Sequence, residues 1–124
     1  MKDNRPVNLD IGSMRLPITA WASITHRISG VFIFFASILM LWALDASLGS
    51  AESFARLADL LSSGFVKLVL WAIASGLIYH SIAGVRHLVM DLGIGESLQG
   101  GVFGARVVIG SAAVLSLMLG VWLW

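Results

Sequence analysis

The chain lacks cysteine altogether and has few charged residues, and both facts restrict what it can be. Without cysteine, this chain can hold neither a disulfide nor a cysteine-ligated cluster of its own. Charged residues make up 12% of the sequence, against about a quarter in soluble domains. The formal net charge of +1 argues against a nucleic-acid-binding surface. Soluble and nucleic-acid-binding proteins are therefore disfavoured.

The sequence is strongly apolar, with 58% hydrophobic residues and a mean hydropathy of +0.91. Three runs, at approximately 28–48, 65–86 and 106–124, are long enough to cross about 30 Å of hydrocarbon at roughly 1.5 Å per residue. The sequence therefore predicts an all-α membrane protein with three transmembrane helices. Three helices bury little among themselves, so we expect the chain to be part of a larger, multi-subunit helix bundle in the lipid membrane.

The predicted organisation is a single membrane-anchor domain over residues 1–124. Residues 1–16 form an arm, and the helical segments are approximately 17–48, 61–91 and 105–124. Between the first two spans, residues 52–63 alternate apolar and charged faces, which is typical of a short helix on the membrane surface or of an extension of the second span. The glycine-rich stretch 92–104 predicts a mobile loop.

The distribution of basic residues predicts the orientation. Two, Arg56 and Lys67, lie in the first connection, and six lie before the first span or around the second connection: Lys2, Arg5, Arg15, Arg27, Arg86 and Arg106. Because cytoplasmic segments are enriched in lysine and arginine, the N-terminus is expected in the cytoplasm.

His80 lies within an apolar run that has no other charged or imidazole side chain between Lys67 and Arg86. An unsatisfied polar group at that depth costs roughly 2–7 kcal/mol, so the imidazole needs a partner. The residues four apart on the same helical face are small, which predicts space for a flat, metal-bearing macrocycle: Ala72, Gly76 and Gly84.

His80 and His87 share a helical face but lie roughly 10 Å apart along the axis. Opposed axial ligands of one haem iron lie only about 4 Å apart, given metal–nitrogen bonds of about 2 Å, so these two cannot hold one iron between them. His26, at the border of the first span, is expected at the level of His87. A second axial histidine would have to come from another chain.

The arginines and a nearby polar patch have two interpretations each. Arg27 and Arg86 lie where haem propionates would pair with them, or they extend to lipid phosphates. Ser23, His26 and Arg27 form a patch suited to a quinone headgroup, although a serine in this position is also commonly satisfied by its own helix. Asp91, four residues after His87, either pairs with that imidazole or is solvated.

Two stretches carry a family resemblance: Ser23-Ile24-Thr25-His26-Arg27-Ile28-Ser29-Gly30 and His80-Ser81-Ile82-Ala83-Gly84-Val85-Arg86-His87, preceded by Arg5-Pro6-Val7 and Pro17-Ile18-Thr19-Ala20 and followed by Asp91 and Gly93. With this spacing, the chain resembles over its whole length the cytochrome b subunit of bacterial succinate dehydrogenase, which is the larger membrane anchor of respiratory complex II.

The resemblance implies a multi-pass subunit of the bacterial inner membrane that holds one b-type haem together with a second three-helix anchor subunit. An iron–sulfur subunit and a flavoprotein subunit would dock on it. His80 would be the haem's axial ligand; Ser23 and Arg27 would line the ubiquinone pocket; His26, Arg27, Arg86 and His87 would surround the haem and its propionates. The chain would thus belong to a succinate:quinone oxidoreductase while contributing no flavin or cluster ligand.

Two other functions are compatible with the residues alone. In a small transporter or proton-relay subunit, His80 and His87 would be protonation sites. In a cofactor-free scaffold, His80 would hydrogen-bond to a neighbouring helix.

Overall fold

The structure, a computed structural model, describes residues 6, 7 and 9–124, so the predictions that involve Lys2 and Arg5 lie outside the described residues. After a 3-10 turn at Ile11–Ser13 come the helices α1 (Ile18–Gly49), α2 (Ala51–Ser62), α3 (Gly64–Asp91) and α4 (Leu98–Leu123). Helices α1, α3 and α4 are long and apolar enough to cross a membrane. The predicted all-α class with three spans is confirmed.

Serines set the start of every helix after α1. The side chains of Ser50, Ser63 and Ser97 accept hydrogen bonds from backbone N–H groups in the first turns of α2, α3 and α4. At α2 the bond is reciprocal, because the Ser53 side chain also accepts from the Ser50 N–H. The helix predicted over residues 52–63 is therefore a separate short helix, observed at Ala51–Ser62, and not an extension of the second span.

The connection between α3 and α4 is shorter than the glycine content predicts. Gly93 and Gly95 have positive φ angles of 80° and 75° and make the turn, but α4 already begins at Leu98. The predicted loop over 92–104 and the predicted start at 105 are thus wrong. Gly101 and Gly104 lie within α4, where they allow close packing: a Cβ would stand 3.5 Å from Thr19 at the first and 3.0 Å from Arg86 at the second.

Small side chains form most of the bundle's interior. The buried apolar residues are Ala22, Ala36, Leu57, Ala83, Ala105, Val108 and Ala112. Large apolar side chains point outward, as in Phe34, which is 65% exposed, and Leu117, which is 66% exposed. This arrangement is typical of helices that pack in lipid, where close backbone approach replaces the burial of large side chains.

Polar contacts also join the helices. The indole Nε1 of Trp71 on α3 donates to the Ser116 carbonyl on α4 at 2.7 Å, and Gly120 leaves room for the ring. Ser116 and Gly120 on α4 therefore serve the packing of α4 against α3. Near the other end, the Tyr79 hydroxyl donates to the Ala22 carbonyl at 3.0 Å and also contacts the Thr25 hydroxyl.

Gly76 gives a test of this packing. A Cβ there would lie 2.8 Å from the ring of Phe32, whereas nothing lies within 4 Å of one at Gly110. We expect Gly76→Leu to lower stability by about 1–3 kcal/mol relative to Gly110→Leu, since only the first forces α1 and α3 apart. Thermal unfolding of the detergent-solubilised protein measures the difference, and equal midpoints would contradict this packing.

Candidate functional site

Three histidines form a column at one end of the bundle, where the N-terminal half of α1 meets the C-terminal half of α3. The His26 ring stacks on His80 with centroids 4.4 Å apart and on His87 with centroids 4.9 Å apart. The interplanar angles are 24° and 23°. His26 thus lies between the two α3 histidines, and its predicted placement at the level of His87 alone is wrong.

The hydrogen bonds of His80 define its tautomer. Its Nδ1 lies 3.0 Å from the Ser29 hydroxyl oxygen and 3.2 Å from the His26 carbonyl oxygen. The Ser29 hydroxyl itself donates to that carbonyl at 2.6 Å. Since a carbonyl only accepts and the serine hydrogen is already used, Nδ1 must carry the proton. The lone pair of neutral His80 is therefore on Nε2.

Nε2 of His80 has no hydrogen-bond partner within the described part of the chain, and it is not a buried atom. Nε2 of His26, by contrast, is buried and unpaired, 3.6 Å from where a Cβ of Gly84 would stand. His80 therefore presents a free lone pair at an accessible ring edge. Its ring face is covered by His26.

The space predicted beside His80 for a macrocycle is filled by α1. The ring of Phe32 occupies the surface of Gly76, and the His26 imidazole occupies that of Gly84. The prediction of space at this position is wrong, because the same small residues that would admit a flat ligand also admit a neighbouring helix.

A cavity of about 340 Å³ lies beside the histidine column, between α1, α3 and the start of α4. Ser23, Arg86 and His87 line it, together with Glu96 from the connection. The Ser23 hydroxyl has no hydrogen-bond partner among the residues described, so the alternative that its own helix satisfies it is wrong. Arg27 is exposed and does not line this cavity. The structure thus brings Ser23 together with Arg86 and His87.

Arg86 lies inside the bundle end and does not extend to lipid. Its Nη2 donates to the Gly101 carbonyl at 3.1 Å, while its buried Nε has no partner in the described part of the chain. His87 donates from Nδ1 to the Ala83 carbonyl at 3.0 Å, which leaves its own lone pair on Nε2. Asp91 is exposed and forms no ion pair with His87.

Sequence reasoning missed two contributors to this site. Ser29 is the hydroxyl partner of His80, and the bare surface of Gly30 next to it admits the His80 ring at 3.1 Å. A serine and glycine pair one turn after His26, within a strongly apolar run, is the signal that indicates such a contact. Tyr79, next to His80 on α3, is the second contributor, because its hydroxyl donates to the Ala22 carbonyl of α1 and so helps to fix the rotation of α3.

The known proteins that this chain resembles belong to one family. Residues 1–119 match the family described as succinate dehydrogenase/fumarate reductase transmembrane subunit. The succinate dehydrogenase cytochrome b556 subunit of Coxiella burnetii is 42% identical over all of both chains. That of Paracoccus denitrificans is 32% identical over 94% of this chain and 90% of its own length. The cytochrome b560 subunit of Reclinomonas americana is 32% identical over 95% of this chain and 85% of its own.

Proposed function

This chain belongs to the succinate dehydrogenase/fumarate reductase transmembrane subunit family, and from that premise we propose how its residues serve a succinate:quinone oxidoreductase. In this proposal the chain holds one haem b jointly with a second three-helix anchor subunit. It also contributes part of the ubiquinone site and docks the iron–sulfur and flavoprotein subunits. Its N-terminus lies on the cytoplasmic side of the bacterial inner membrane, as the basic residues favour.

The observation that carries the haem proposal is the hydrogen-bond arrangement of His80. An axial ligand needs a neutral imidazole with one nitrogen free and the other N–H held by an acceptor. His80 meets all three conditions, since Nδ1 donates to Ser29 and the His26 carbonyl while Nε2 is free and accessible. Stacking with His26 covers the ring face and leaves the ring edge open. The residues present therefore fit haem iron.

The packing of α1 on α3 supports a haem shared between subunits. Phe32 and His26 close the gap between the two helices, so a macrocycle must lie on an outer surface of this chain. A second anchor subunit would complete such a surface and would supply the other ligand to the iron. When bound, haem b supplies a one-electron carrier near the quinone site.

Arginine and histidine side chains at this end of the bundle would surround the haem in this proposal. Arg86 has a buried guanidinium nitrogen without a partner in the described chain, which favours an anionic group such as a propionate nearby. Arg27, His26 and His87 complete the haem surround. Of these groups, the two arginines would neutralise carboxylates that would otherwise be costly in lipid.

Ser23 and Arg27 carry the quinone part of the proposal. The Ser23 hydroxyl is unpaired in the described chain and faces a cavity that also contains His87 and Arg86. Arg27, four residues later, is exposed on the same helix, where a docked subunit or a quinone can reach it. Because residues four apart share a helix face, the two side chains together offer hydrogen-bond donors to the carbonyl oxygen of a quinone headgroup beside α1.

Purification tests this function directly. The chain, tagged and isolated from its own membranes in mild detergent, is expected to bring with it a flavoprotein and an iron–sulfur protein with succinate-dependent quinone reduction. Isolation of the chain without any dehydrogenase activity, or with proton flux into vesicles that contain it alone, would contradict the proposal. The stacked rings speak against a relay, since no hydrogen bond joins one imidazole to another among residues 9–124.

A further inference from the structure

We propose that Ser29 is a positioning residue for His80, which fixes the imidazole tautomer and strengthens Nε2 as a ligand. The inference rests on the proposed function, because it concerns the residue that would bind haem iron. It assigns a role to a side chain that touches neither haem nor quinone and acts only through His80.

The hydrogen bonds between His80 and α1 have a defined direction. The Ser29 hydroxyl donates to the His26 carbonyl at 2.6 Å, so its oxygen presents lone pairs to the Nδ1–H of His80 at 3.0 Å. The same carbonyl accepts from Nδ1 at 3.2 Å. The imidazole N–H is therefore shared between two acceptors on α1. With the other tautomer, Nδ1 would lose its bond to the His26 carbonyl, which can only accept. The Ser29 hydroxyl would also have to give up its own bond to that carbonyl in order to donate to Nδ1.

Ser29 differs from other serines of the bundle in its partners. The hydroxyls of Ser37 and Ser47 also donate to the carbonyl three residues earlier, at 2.6 and 2.7 Å. Among the residues described, neither hydroxyl has a partner on another helix. Ser29 makes the same local bond but is 9% exposed and has an imidazole as second partner. Its burial is thus explained by His80 and not by the needs of its own helix.

Gly30 and His26 pack closely against the His80 ring. Gly30 follows Ser29, and a Cβ at Gly30 would stand 3.1 Å from Cε1 of His80. The ring therefore lies tightly between the Gly30 surface and the stacked His26 ring. This packing restricts rotation of the imidazole and so maintains the hydrogen bond between the Ser29 oxygen and Nδ1 of His80.

The chemical consequence concerns electron donation. An acceptor on the Nδ1–H raises the basicity of the opposite nitrogen, which favours the ferric over the ferrous state of a ligated iron. Removal of the Ser29 hydroxyl leaves the His26 carbonyl as the remaining acceptor. We therefore expect a weaker ligand and a more positive haem midpoint potential, together with roughly tenfold weaker haem retention, the lower end of the range for such partners.

The experiment compares Ser29→Ala with Ser37→Ala in the complete, purified complex. Both changes remove one hydroxyl and one local backbone bond from α1, but only the first removes a partner of His80. Haem content per flavin and the haem midpoint potential, from a spectroelectrochemical titration, are measured for each. Ser29→Ala is expected to show the positive shift and the loss of haem during detergent washing, and Ser37→Ala to match the unaltered complex.

Each outcome is decisive. A Ser29→Ala complex with unchanged potential and haem content overturns the inference while leaving the proposed function intact. Failure of Ser29→Ala to assemble, when Ser37→Ala assembles, also overturns it, since Ser29 would then hold helices together and not act through His80. An unaltered complex without haem instead overturns the proposed function itself.

Discussion

Replacement of His80 by leucine is expected to eliminate the b-type haem spectrum of the assembled complex. Leucine fills a similar volume on α3 but has no lone pair, so the iron loses the ligand that this chain offers. The change also removes the partner of Ser29 and the ring that stacks on His26. Absorption of the purified complex measures the change: the low-spin bands should disappear, because only the ligand from the second subunit would remain on the iron.

His87→Leu is the matched control for this prediction. His87 also stacks on His26, and it lies on the same face of α3, but its Nδ1 bonds to its own helix at Ala83. We expect His87→Leu to alter the haem surround while the low-spin spectrum remains. A His80→Leu complex with an unchanged spectrum, or the same loss in both variants, would contradict the assignment of His80.

Arg27→Ala is expected to reduce quinone reduction by roughly 10- to 100-fold, because a hydrogen bond to a charged group contributes about 1.5–3 kcal/mol. Electron transfer from succinate to a soluble artificial acceptor should continue at its normal rate, since it does not use the quinone site. Steady-state assays with both acceptors on the same purified complex measure the ratio.

Arg106→Ala is a suitable control, because Arg106 is another exposed arginine at the same end of the bundle and lies on α4. It removes the same charge without touching the Ser23 side of α1. Equal loss of both activities in Arg27→Ala, or the same selective loss in Arg106→Ala, would show that Arg27 has no local role at the quinone.

Much of the fold could be predicted from the sequence, because membrane thickness and hydropathy determine which segments span. The helix boundaries were harder to predict. Glycine favours turns in water, but in a membrane bundle it also provides close helix contacts, as Gly101 and Gly104 do. Composition alone does not distinguish these two uses, and the start of α4 was therefore predicted too late.

The candidate site, like the fold, could be predicted only in part. Three histidines could be identified from the sequence because a polar group in an apolar run needs a partner. They are His26, His80 and His87. Which neighbour satisfies each one depends on the rotation of α1 against α3, and that rotation follows from packing details such as Phe32 on Gly76. The contact of Ser29 with His80, 51 residues apart in the chain, is a product of this rotation.

The visible spectrum of the intact membrane complex, recorded oxidised and then after reduction, decides whether His80 ligates haem iron. We expect the α and Soret bands of one low-spin b-type haem per complex, with bands that sharpen on reduction and disappear in His80→Leu. A complex that oxidises succinate but shows no haem absorption in either state would contradict it.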